Sequence, residues 1–163
     1  MDNNIPDKII SGLGNGDINP LEKKEAEINV TSCIMTFMSY SIKSSSIFVE
    51  HSERTIITPD DIKRAMMVEV FMYFKRPDLK VRVGEWRNII LTDIDMGEDE
   101  ASESELESED EELKDKITEE IKNKKVCSCE VCDLMNTIKD KWQYYNPDDE
   151  LGKIFKKHID AME

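Results

Sequence analysis

Apolar positions recur at three- and four-residue intervals along residues 20–50, and they do so twice. Ile28, Met35, Met38, Ile42 and Val49 follow one stripe, while Val30, Ile34, Phe37 and Phe48 follow a second, displaced around the helix. The segment holds no glycine, and its one proline, Pro20, stands at its start behind Asn19, a good capping residue. The pattern predicts a single helix of about 30 residues. A helix with apolar surface on two sides needs packing on two sides.

Upstream, IPDKIISGLGNGD predicts a short helix near residues 6–13, ended by Gly14-Asn15-Gly16, which tolerate positive φ. Downstream the helical pattern breaks at Glu53-Arg54, and Thr55-Ile56-Ile57 reads as a very short β segment. Thr58-Pro59-Asp60-Asp61 then predicts a sharp helix start. The Thr58 hydroxyl can take the N3 amide, Pro59 suits N1, and Asp61 completes a capping box while complementing the helix dipole. Ile62, Ala65, Met66, Val70 and Phe74 line one face of this third helix.

Charge divides the rest of the chain. Of 36 acidic residues, 12 fall in DIDMGEDEASESELESEDEE, residues 93–112, which has no basic residue; elsewhere 24 acidic face 22 basic. The tract reads as a solvated, disordered linker over 93–115, or as a nucleic-acid mimic that binds basic proteins; Ser102, Ser104 and Ser108 resemble acidophilic kinase sites. Residues 81–92, with Trp86, Ile89 and Ile90, read as a short connecting segment that docks back. The organisation expected is therefore a module over 1–80, a connection over 81–115, and a second module over 116–163.

In that second module Cys127, Cys129 and Cys132 form C-x-C-x-x-C ahead of a helix carrying Leu134, Ile138 and Trp142. Asn146-Pro147-Asp148-Asp149 starts a further helix, with Leu151, Ile154, Phe155, His158, Ile159 and Met162 inward. Three thiolates this close can share one Zn²⁺ if a fourth ligand arrives. His158, returning along a helical hairpin, is the ligand expected; three plain thiols at a helix start are the alternative. Cys33, among apolar residues, reads as a core thiol.

The order short helix, long helix, tiny strand, third helix resembles the histone fold. HSERTIITPDDIKRAMM in particular is similar to the second loop and third helix of core histones and histone-like transcription-factor subunits. The resemblance covers roughly residues 5–75. It implies a structural clamp between Arg54 and Asp61, and pairing with another histone-fold chain, head to tail along the long helices. Ile28, Met35, Met38, Ile42 and Val49 would lie in that interface, with Thr55, Ile56 and Ile57 pairing with the partner's loop. It also implies that Arg54, Thr55, Lys63 and Arg64 would stand nearest a DNA backbone. Residues 20–80, however, balance nine basic against nine acidic residues, so most of the charge for double-stranded DNA would come from the partner.

No nucleotide-binding loop, nucleophile elbow or zinc-protease motif occurs, and the two histidines, His51 and His158, belong to no acid–base constellation. Neither catalysis, a small-molecule substrate nor a membrane span is expected. The fold expected is all-α, a histone fold plus a C-terminal helical hairpin with a Cys-rich start, and no cofactor other than zinc. The expected work is pairing within a DNA-associated chromatin or transcription assembly, or alternatively as an acidic protein-only scaffold or histone chaperone. The location expected is intracellular: the nucleus, or a virion or cytoplasmic virus factory for a viral chain.

Overall fold

The computed structural model describes residues 19–95 and 111–162, so the short helix expected near 6–13 and residues 96–110 of the acidic tract lie outside the described residues. Those described are all-α. α1 spans Pro20–His51, α2 Pro59–Met72 with a 3-10 turn at Tyr73–Lys75, α3 Leu79–Asp95, α4 Glu111–Lys122, α5 Glu130–Tyr144 and α6 Glu150–Asp160. No described helix is long and apolar enough to cross a membrane.

The helix starts follow from their caps. Asn19 Oδ1 accepts the Leu21 N–H at 3.1 Å, with Pro20 in the first helical turn. Thr58 and Asp61 form the reciprocal box: the Thr58 hydroxyl takes the Asp61 N–H, and the Asp61 carboxylate takes the Thr58 N–H at 2.9 Å. For the last helix the cap is Asp149, whose carboxylate accepts the Gly152 N–H at 2.7 Å.

α1 is buried partly through hydroxyls. Ser32, Thr36, Ser41 and Ser45 are buried, and each donates to the carbonyl four residues earlier, at 2.7–2.9 Å. The bond back satisfies the hydroxyl where no water reaches it. Small side chains also let neighbouring helices approach closely.

One core joins what the sequence divides into two modules. Phe48 of α1 and Ala65, Met67 and Val68 of α2 are buried together with Cys132, Met135, Ile138 and Trp142 of α5 and Ile159 of α6. Phe155 stacks on Phe37 of α1 at 4.6 Å between ring centroids. The segment 116–163 thus packs on 1–80, and the C-terminal hairpin covers one apolar side of α1. Residues 81–92 are part of a 17-residue helix rather than a short segment; Arg87 of α3 bonds Asn29 at 2.7 Å and Glu25 at 3.2 Å on α1. At the two ends of the tract read as a linker, 93–115, residues up to Asp95 belong to α3 and residues from Glu111 belong to α4.

The face read for the third helix is rotated. Met67, Val68 and Glu69 are buried, while Phe74 is 57% exposed. The tightening into a 3-10 turn at Tyr73 moves Phe74 off the stripe and puts Tyr73 inside, where its hydroxyl donates to the Cys33 carbonyl at 2.9 Å.

Candidate metal centre

The loop from His51 to Thr58 is where both halves of the chain converge. Ser52 ends α1, and Glu53 adopts a left-handed φ of 53°, which turns the chain so that the Arg54 N–H returns to the Val49 carbonyl at 3.0 Å. Thr55-Ile56-Ile57 forms no strand: among the described residues there is no β structure at all. The expected tiny strand is corrected to an irregular loop segment whose donors meet an acidic side chain. Glu120 of α4 accepts the Thr55 N–H at 3.0 Å, the Thr55 hydroxyl, and the Ile56 N–H at 3.3 Å. These bonds, the hydroxyl's first, hold the Glu120 carboxyl below its usual range. A further bond joins the Lys125 N–H to the Ser52 carbonyl at 3.0 Å, and Lys125 Nζ lies 2.6 Å from Glu53.

At the loop's start stands His51, the last residue of α1. Its Nδ1 lies 3.2 Å from Cys129 Sγ and 3.6 Å from both Cys127 Sγ and Cys132 Sγ. The four ligand atoms all fall within 4.8 Å of one another, so the cluster could hold a metal ion. Tetrahedral zinc, with Zn–N near 2.1 Å and Zn–S near 2.3 Å, would separate nitrogen from sulfur by about 3.6 Å. Two of the three nitrogen–sulfur distances match that edge.

The helix start of α5 arranges the thiols. Cys129 is its N-cap and Cys132 lies in its first turn, continuing inward the stripe of Met135, Ile138 and Trp142. The Cys132 backbone N–H, above all, holds the Cys129 thiol down to about 6, whereas burial pushes the Cys132 thiol up to about 12. The group thus contains one sulfur that ionises readily beside another kept out of water.

The fourth ligand expected from sequence is corrected. His158 is exposed on α6 and takes no part in the cluster, because its neighbour Ile159 occupies the inward position and is 1% exposed. His51 is 76 residues before Cys127, and no local spacing rule links them. The available signal is that the chain has only two histidines, one of them beside a predicted loop.

The other expected site residues fall as follows. Ile28 and Val49 are buried within the chain, Met35, Met38 and Ile56 are half-buried, and Ile42 and Ile57 are 49% and 39% exposed. Arg54 is buried and doubly bonded to Asp61, as the clamp requires. Of the positions read as nearest DNA, Arg54 thus faces inward and Thr55 is held by Glu120. Lys63 donates to the Met162 carbonyl, and Arg64 pairs with Asp60 at 2.8 Å. Cys33 is exposed rather than a core thiol. Comparison with family models, with curated proteins and with solved structures finds no match to this chain.

Proposed function

We propose that this chain is a histone-type assembly subunit: it pairs along α1 with a basic helical chain, and a structural Zn²⁺ fastens its C-terminal half to the pairing loop. The observation that carries the reading is the unequal covering of α1. Phe37 and Phe48 are enclosed by α2 and the C-terminal hairpin, while Ile42, with Met35 and Met38 half-covered beside it and Ile57 beyond the loop, keeps apolar surface open. Charge favours a basic partner over a second copy, because two chains of net charge −14 would repel on close approach. Three thiolates and an imidazole suit zinc, and four protein ligands make a closed, structural site. The loop residues nearest a duplex are committed within the chain, so DNA would be met by the partner's charge.

The test is size-exclusion chromatography with light scattering on the chain alone, mixed with a purified core-histone mixture, and mixed with duplex DNA. A histone complex that weakens with salt and is abolished by Ile42→Glu is expected. Tight binding of DNA by the lone chain, or an Ile42→Glu variant that pairs as the wild type does, would overturn the reading.

A further inference from the structure

Resting on that assembly reading, we propose that α4 and the segment after it, Glu111–Cys129, form an intramolecular strap that occupies the pairing edge at Thr55-Ile56 and is anchored by the metal at His51. The strap and an incoming partner segment compete for the same backbone donors.

The contacts run in register along the loop. Glu120 holds the N–H groups of Thr55 and Ile56, the Lys125 N–H bonds the Ser52 carbonyl, and Cys127 and Cys129 meet His51. Cys127 and Cys129 pack against the core, but within α4 apolar burial gives little hold. α4 contains no buried residue, and its Leu113 and Ile121 are 45% and 44% exposed. α4 contributes no residue to the shared core, so its departure leaves that core in place.

The edge beneath is suited to another occupant. Thr55, Ile56 and Ile57 have strong β preference and lie between α1 and α2, in neither helix nor strand. A carboxylate satisfies the N–H groups but leaves Ile57 39% exposed, whereas a partner's extended segment would satisfy the same donors and cover the side chain. The α5–α6 hairpin does not belong to the strap, since Met135, Ile138 and Ile159 are locked in the shared core.

Amide hydrogen exchange on the full-length chain, zinc-loaded and chelated under reducing conditions, reads the strap directly. Glu120→Ala should raise exchange at Thr55 and Ile56 by about tenfold or more, the scale expected for loss of hydrogen bonds to a charged acceptor. Amides around Phe48 and Met135 should not change. Chelation should free residues 111–129 while leaving α5 and α6 protected. In the light-scattering assay with the core-histone mixture, Glu120→Ala should pair more tightly than wild type, and Glu120→Gln should fall between them. Unchanged exchange at Thr55 and Ile56, or chelation that leaves the segment closed or unfolds α5 and α6, overturns the strap. If wild type pairs with histone but Glu120→Ala pairs no better, the competition alone falls. If neither pairs, the assembly reading falls first and takes the competition with it.

Discussion

Arg54 and Asp61 meet across the α1–α2 loop through two parallel hydrogen bonds, Nη1 to Oδ2 at 3.0 Å and Nη2 to Oδ1 at 2.7 Å, with both side chains almost wholly out of water. The same carboxylate accepts the Thr58 N–H and hydroxyl, so one acid closes the loop and caps α2. Burial alone would raise the Asp61 carboxyl, but the bonds from Arg54 and Thr58 outweigh it and hold it below its usual range. Two functions of the sequence, turning the chain and starting a helix, therefore share one group.

Asp61→Asn should consequently be severe. It leaves the Arg54 guanidinium buried without a counter-charge, a change that costs about 3–5 kcal/mol when a buried pair is broken. The sign with pH follows from the lowered folded value. The contribution is complete above the unfolded carboxyl value near 4 and is lost as pH falls through the folded value. Urea denaturation at neutral pH and along an acid series checks both, and a loss below about 1 kcal/mol would place Asp61 among ordinary helix caps.

Glu69 carries the opposite pH signature. Its side chain is 0% exposed and bonds Arg76 at 2.6 and 3.2 Å. Burial raises its carboxyl above the usual range, and Arg76 offsets that only in part. An acid with a raised folded value loses stability as pH rises from its unfolded towards its folded value. Arg76→Met removes the offset, so it should enlarge the loss and extend it to higher pH, costing about 3–5 kcal/mol at neutral pH. The double change Glu69→Gln with Arg76→Met should recover much of that stability; thermal melts across the acid-to-neutral range provide the comparison.

At Gly152 the constraint is space. A Cβ there would lie 2.7 Å from the Pro147 Cβ and 2.9 Å from the Asp149 carboxylate that caps α6. Gly152→Ala should force the cap apart and cost about 1–3 kcal/mol, as overpacked sites do. Equilibrium unfolding should show the loss, with increased exchange confined to residues 145–160.

The elements legible in the sequence are those fixed by short-range chemistry. Pro20 and the Thr58-Pro59-Asp60-Asp61 run gave helix starts at the expected residues, and the 3-and-4 spacing of Ile28 to Val49 gave α1 its length. What escaped was set by tertiary partners. Ser32, Ser41 and Ser45 belong to neither apolar stripe, yet they are buried, and each bonds its own helix. Thr55-Ile56-Ile57 has β preference but no strand partner, and Glu120, 65 residues away, takes its Thr55 donors instead. The shared core was hidden for a related reason: the stripe of α5 predicts that it packs, not that it packs on Phe48.

His51 against His158 is the sharpest test of the metal centre, since each histidine belongs to a different reading of the same three cysteines. Zinc content of the purified chain, measured after gel filtration, should be one ion per chain. Cobalt substituted at the site should give thiolate charge-transfer and tetrahedral d–d bands. His51→Ala should weaken binding by more than the roughly 10–100-fold that losing an outer-shell partner costs, because it removes a direct ligand. His158→Ala and Cys33→Ser should bind as the wild type does, since one side chain is exposed on α6 and the other lies on α1 outside the cluster. Helical circular dichroism should survive His51→Ala, as the core from Phe48 to Ile159 does not include the imidazole. Retention of zinc by His51→Ala together with its loss in His158→Ala would mean that the hairpin, not the end of α1, completes the site.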